Sequence, residues 1–323
     1  MSRLNQYFLM SLLALLTVCT AQAQPYPNKP IRLLVGFAPG GAADYVARNV
    51  SVPLGQALGQ PIVVENKPGA GSSIAAEQVA KSAPDGYTIL IASPSSISVN
   101  PALSQKLGYR PSDFVPISKI TSSPVVIAVN PNTGIFSVKD LIAKAKQNPG
   151  GLNYATSGNG SAPHLAAALF SQVADIKMTH IPFRGGSLAI QSVIAGDTQL
   201  TFGTPPSVLP MIQAGRLRGI AISSKERSPL APNLQGMREA GLPDYAIEFW
   251  YGVFVPAGTP PEIIQKLYEA TQAAMKQPNV KAALAREGTD VSVSSSPAQF
   301  AKFLVEDEKF WVKLVKTAEV SVD

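Results

Sequence analysis

The chain has 323 residues, with 27 lysines and arginines against 21 acids, two histidines and one cysteine. Charged residues make up 15% and hydrophobic ones 46%, which excludes both a charge-rich disordered segment and a polytopic membrane protein. One cysteine cannot form an intramolecular disulfide or a thiolate cage, and two histidines leave little for zinc, so neither a metal nor a cofactor is expected.

Residues 1–23 read as a signal peptide. Arg3 supplies the positive start, Tyr7 to Val18 is apolar apart from Ser11 and Thr17, and Ala21-Gln22-Ala23 gives a small-x-small cleavage site before Gln24. Cys19 lies inside this leader, and because Val18 before it is not small, lipoprotein processing ranks second to this cleavage. The mature chain therefore has no cysteine, which suits a bacterial periplasm and not a small extracellular scaffold stapled by disulfides. Its basic residues are scattered, as in Lys139, Lys144 and Lys146, or alternate with acids, as in Lys225-Glu226-Arg227. Nucleic-acid binding needs them gathered on one face, so nucleic acid is not an expected partner. Diffuse positive charge instead aids solubility or attracts small anions.

From Pro30 onward, aliphatic runs alternate with helical spacing. Residues Ile31–Phe37, Ile62–Glu65 and Thr88–Ala92 read as buried strands, with helices over Ala42–Leu58 and Ser73–Lys81 between them. A second series has strands at Val125–Val129, Leu152–Ala155, Met178–Phe183, Leu200–Phe202 and Gly219–Ile222. Its helices are Val138–Gln147, Pro163–Val173, Leu188–Ala195 and Ser207–Ala214. A strand at Trp250–Val255 follows, then helices from Pro261, Asn279 and Pro297. This alternation predicts α/β architecture with parallel sheets. The tail needs a surface to cover, so the Trp250–Val255 strand should return to the first unit. That gives two lobes with two interlobe crossings, near Thr121–Pro124 and Glu248–Gly252. The expected domains are 24–123 with 252–323, and 124–251, and a ligand would bind beyond the strand ends in the shared cleft.

The motifs at those strand ends favour binding over catalysis. Phe37-Ala38-Pro39-Gly40-Gly41 leads from a strand into a helix, where glycines allow close approach and the first helical amides can receive an anion. Asp44 could meet the ligand or simply stabilise the helix dipole. Ser157-Gly158-Asn159-Gly160-Ser161 repeats the device, with Pro163 in the first turn and His164 expected to be a neutral hydrogen-bonding residue. His180 reads as structural. Ser93 to Ser96 add hydroxyls near the cleft, Gly185-Gly186 is a third glycine turn, and Arg184 could clamp a carboxylate. Gly69-Ala70-Gly71 and Gly158-Asn159-Gly160 both fail the dinucleotide fingerprint at its last position. No serine-hydrolase elbow, H-E-x-x-H or P-loop occurs, so an enzyme is not expected. The catalytic alternative is a hydrolase using Ser161 with His164.

Several segments carry one further signal in order: Tyr26-Pro27-Asn28-Lys29-Pro30-Ile31-Arg32, Phe37–Gly41 with Asp44, Val63–Gly71, Pro84–Thr88, Asp113–Ile117, Gly158–Ser161 with His164, Trp250-Tyr251-Gly252 and Pro256–Pro260. Together they resemble the Bug family of extracytoplasmic solute receptors, related to those of tripartite tricarboxylate transporters. The resemblance implies a type II-like Venus-flytrap fold, a periplasmic location, a small carboxylate ligand and a membrane transporter, or a sensor protein, as partner. It implies ligand contact from Phe37, Ala38, Gly40, Gly41 and Asp44 on one lobe and from Ser157–Ser161 and His164 on the other, with Gly185 and Gly186 a weaker transfer. A monomer is expected. Many relatives carry an acid where this chain has Gly203, which argues against an amine-bearing ligand. The usual P-D-V-P-T stretch reads Pro232-Asn233-Leu234-Gln235-Gly236 here.

Overall fold

The computed structural model describes residues 25–104, 106–229, 231–286 and 288–317. The leader expected over 1–23, with Cys19 and Gln24, lies outside them.

In strand β1 (Ile31–Val35), Ile31, Leu33, Leu34 and Val35 are all fully buried, so both faces are covered and the run is almost continuously apolar. Helix α1 (Ala42–Leu58) packs Val46, Val50, Leu54 and Leu58 onto it and stops at Gly59, whose φ of 75° suits glycine. Strands β2 (Ile62–Asn66) and β3 (Thr88–Ala92) lie parallel on either side of β1, with helix α2 (Ser73–Ala80) between them in sequence. A π-helical turn at Ser95–Val99 and the short α3 (Asn100–Leu103) follow β3.

Strand β4 (Phe114–Pro124) then runs toward the second unit. There β5 (Val126–Val129), α4 (Val138–Gln147), β6 (Asn153–Thr156), α5 (Ala162–Ala174), β7 (Thr179–Pro182), α6 (Gly186–Ala195), β8 (Leu200–Gly203), α7 (Pro205–Gln213) and β9 (Arg218–Ile222) build a five-stranded sheet in the order β7-β6-β8-β5-β9. Strand β10 (Glu248–Pro256) returns, and α8 (Pro261–Lys276), α9 (Pro278–Arg286), β11 (Asp290–Val291) and α10 (Pro297–Thr317) complete the chain. The first sheet has six strands in the order β11-β4-β10-β3-β1-β2.

The crossings lie side by side, because Glu248 at the start of β10 pairs with Pro124 at the end of β4. Ser223 stitches them together. Its Oγ accepts from Val125 N at 2.8 Å and donates to Ile247 O at 2.5 Å.

Three features differ from the expectation of parallel sheets with a tail over one lobe. Both sheets are mixed: β10 runs antiparallel to β3 and β4, and β5 antiparallel to β8 and β9. These strands enter from the other lobe or from a reversal, with no crossover helix to force a parallel direction. Strand β4 itself was not foreseen. Pro116 interrupts its apolar pattern, and it is tolerated beside a register shift opposite Val253 and Phe254. Finally, α10 serves both lobes. Phe300 packs with Trp250 and Phe254 on the first, whereas Trp311, Leu314 and Val315 join Phe170, Tyr245 and Phe249 in the core of the second.

Candidate interlobe binding site

Four helices start at the space between the lobes. Helix α1 begins after Gly41, α5 after Ser161, α6 after Gly185 and α7 after Thr204, and none of these N-cap residues makes a side-chain capping hydrogen bond. In α1, α5 and α6 the first helical amides have no partner within their own helix, whereas α7 opens with Pro205-Pro206 and its Ser207 N donates to Thr204 O at 2.9 Å, so α7 contributes only the partial positive charge of its dipole. Gly41–Ala43, Ala162–Pro163, Gly186 and Thr204 line one inner cavity of about 50 Å³. Phe37, Ala38, Ser93, Ser95, Ser157, Phe249 and Tyr251 complete much of its wall, and no lining residue is charged.

Among the hydroxyls in this wall, Ser93 Oγ and Ser95 Oγ are buried without any hydrogen-bond partner. A buried unmatched hydroxyl destabilises the fold by about 1–3 kcal/mol, so two in one cavity wall mark a place where a ligand can satisfy them. Burial holds the Tyr251 phenol above its ordinary pKa, so it stays protonated and can donate. Thr201, in contrast, already donates to Ala155 O at 2.8 Å.

Of the residues singled out in the sequence, Phe37, Ala38, Gly41, Ser93, Ser157 and Gly186 line this cavity. Gly158, Asn159 and Gly185 line an adjoining chamber. Gly40, Asp44, Gly160, Ser161 and His164 line neither, and the side chains of Asp44, Ser161 and His164 brace the turns. Asp44 is buried; its Oδ2 accepts from Gly40 N at 3.0 Å and Arg48 Nε at 2.9 Å, and its Oδ1 accepts from Asn66 Nδ2 at 2.9 Å. Burial alone would raise its pKa, but the hydrogen bonds from Arg48, Gly40 and Asn66 outweigh it and keep the carboxyl below the usual range. Its bonding thus fixes the Gly40 turn. Replacing it in Asp44→Asn removes the charged part of this network and should lower stability by about 1–2 kcal/mol in urea unfolding at neutral pH.

His164 Nδ1 accepts from Gly160 N at 3.1 Å, while Ser161 Oγ donates to Gly158 O at 2.6 Å. Among the described residues these two side chains make no hydrogen bond to each other, so the nucleophile–base contact of a hydrolase is not formed. His164 stacks on His180 with ring centroids 3.9 Å apart, and His180 Nε2 bonds Thr156 Oγ1 at 2.6 Å. Burial, helped by the neighbouring His180, lowers the His164 pKa to about 3, and burial lowers that of His180 to about 4. Both rings are neutral at physiological pH. His164 therefore fixes the Gly158–Ser161 turn as an acceptor.

Ser95 belongs to the Ser93–Ser96 hydroxyls expected near the cleft, whereas Thr204, Ser207, Phe249 and Tyr251 were not expected as cavity residues. Thr204-Pro205-Pro206 follows a strand and opens a helix, the same device as at Ser161, and that was the available signal. Tyr251 stood in the Trp250-Tyr251-Gly252 segment without a role assigned to it.

Residues 46–320 match the family described as the tripartite tricarboxylate transporter family receptor. The chain belongs to this family. BugT of Bordetella pertussis is 35% identical over 296 residues, covering 91% of this chain and 90% of BugT. A solved R. palustris protein with adipate is 31% identical, with a TM-score of 0.88 over 92% of this chain and 99% of that one. MatC from Rhodopseudomonas palustris with bound malate is 30% identical, with a TM-score of 0.84 over 90% of this chain and 100% of MatC. The protein is thus a periplasmic solute-binding receptor of two α/β domains. Among the described residues, no helix is long and apolar enough to cross a membrane.

Proposed function

We propose that this receptor captures the carboxylate of a small organic acid in the inner cavity and presents it, lobes closed, to a tripartite tricarboxylate-type transporter. Presentation to a membrane sensor would use the same closed form. The observation that carries this reading is the pair of buried, unpartnered hydroxyls of Ser93 and Ser95 among four helix N-termini in a wall without charged side chains. Neutral donors and helix dipoles suit an anion, and no acid lines the cavity to hold an ammonium group. The adipate and malate found with two relatives point the same way.

In this reading the protein acts as a monomer in the periplasm after loss of residues 1–23, with domains 24–123 plus 252–323 and 124–251. It binds without catalysis and without a cofactor. Donors from both lobes surround the anion only when the lobes are closed, so ligand shifts the population toward closure. A few hydrogen bonds of about 1.5–3 kcal/mol each, less ordering and desolvation, fit a dissociation constant near 1 μM.

Calorimetry against mono- and dicarboxylates, amines and neutral sugars tests the proposal. Heat with acids alone is expected, and Ser95→Ala should weaken the best acid by about tenfold. Heat only with cations or neutral solutes would refute the carboxylate assignment.

A further inference from the structure

The inner cavity does not end the space between the lobes. It shares Phe37, Ala38 and Ser157 as walls with a second chamber of about 700 Å³. One side of this chamber is the Gly69–Ser72 turn, four consecutive residues with φ of 136°, 45°, 58° and 77°. Ala70 and Ser72 are not glycine, so their left-handed backbone is strained and must be held by its surroundings. Asn100 holds it: its Nδ2 donates to Gly71 O and Ser73 Oγ, both at 2.8 Å. The facing wall is Ser157–Asn159 and Pro182–Gly185 of the second lobe.

The two spaces differ in size and charge. At about 10–15 Å³ of such volume per water, the inner cavity holds a few waters, enough for a carboxylate head and too little for a whole diacid. The outer chamber holds far more. Its lining contains one charged side chain, Arg184, and no acid. Among the described residues Arg184 makes no ion pair or hydrogen bond. An unpaired guanidinium on the wall of a chamber that adjoins a carboxylate pocket is placed for a second anion.

We propose that the outer chamber is a second subsite, in which Arg184 receives the far carboxylate of an elongated diacid whose near carboxylate occupies the inner cavity. This rests on the reading of the inner cavity as a carboxylate site. The ligand class then narrows to flexible or extended diacids long enough to pass Phe37 and Ala38, in preference to compact diacids and to monoacids. An ammonium group at the far end is disfavoured by the same arginine.

Calorimetry of the wild type and Arg184→Gln with succinate, adipate, suberate and hexanoate tests the subsite. The wild type should bind adipate or suberate about tenfold more tightly than succinate or hexanoate. Arg184→Gln should erase the advantage over hexanoate while leaving hexanoate itself unchanged, and Arg184→Lys should restore part of it. An unchanged diacid-to-monoacid ratio in Arg184→Gln, or succinate binding as tightly as suberate, would overturn the subsite and leave the inner carboxylate site standing. If none of the four acids binds, the carboxylate reading itself falls, and the subsite with it.

Discussion

Lowering the pH from 6 to 4 should destabilise the folded receptor by about 3 kcal/mol, a slope set chiefly by one buried and two half-buried groups. His164 and His180 have pKa values of about 3 and about 4 in the fold, against 6.5 in the open chain. Between those limits the unfolded chain takes up two protons that the folded chain refuses, so each histidine makes stability rise with pH by about 1.4 kcal/mol per unit. Asp307 opposes them. It accepts from Trp250 Nε1 at 3.0 Å and from Ser98 Oγ at 3.2 Å. Burial raises its pKa from 3.8 to about 6, although the hydrogen bonds from Trp250 and Ser98 and the charge of Lys119 pull it back. The folded chain keeps that proton where the unfolded chain releases it, so this contribution is present at low pH and lost as pH rises through 6. Two groups against one leave a net slope of about 1.4 kcal/mol per unit near pH 5. Urea unfolding from pH 4 to 7 measures it. Asp307→Asn should roughly double the slope, and His180→Phe should bring it near zero; equal slopes in all three proteins would refute the assignment.

The strands that can be read from sequence are those covered on both faces, such as Ile31–Val35 and Thr88–Ala92, where aliphatic residues leave no other choice. Strand β4 resisted because its partners are distant in sequence. Ser118 and Thr121 are fully buried there by β10 and β11, and nothing local says that polar positions will be enclosed. The glycine turns after β1 and β6 were legible as strand-to-helix junctions, and the helix starts there do line the cleft. The equivalent junction at Gly203-Thr204 carries one glycine instead of a pair and was not read as a ligand turn. Asp44 and His164 were recognised as chemically notable, yet their direction could not be read. A carboxylate or imidazole in a first helical turn can face a ligand or brace its own loop, and only the packing of Arg48, Asn66 and His180 decides between them. Ser95 was among the Ser93–Ser96 hydroxyls placed near the cleft, but it lies in a π-helical turn whose spacing matches neither helix nor strand periodicity, so which of them faces the cavity could not be read.

Replacing Gly185 by valine should weaken acid binding by about 100-fold while the protein stays folded. Gly185 caps α6 with φ 129° and ψ 159°, a conformation essentially restricted to glycine, and a β-carbon there would stand 3.2 Å from Ala38 Cβ on the opposite lobe. The strain alone is about 1–3 kcal/mol. The contact with Ala38 exists only with the lobes together, so a branched side chain penalises the closed form specifically, whereas an open form gives it room. Ligand affinity falls in proportion to the fraction of molecules able to close, and a further 3 kcal/mol against closure weakens binding by about 100-fold. Gly59→Ala separates this effect from simple backbone strain. Gly59 also has a positive φ, 75°, but a β-carbon there meets nothing within 4 Å. That variant should lose about 1 kcal/mol of stability and bind normally. Thermal unfolding with and without saturating acid reads both quantities at once. A ligand at a hundredfold excess over the wild-type dissociation constant adds about 2.7 kcal/mol to the wild type and to Gly59→Ala, and only about 0.4 kcal/mol to Gly185→Val. Normal ligand-induced stabilisation of Gly185→Val would mean that the two lobes hold the acid without bringing Ala38 against α6, and closure would then have to be sought at another contact.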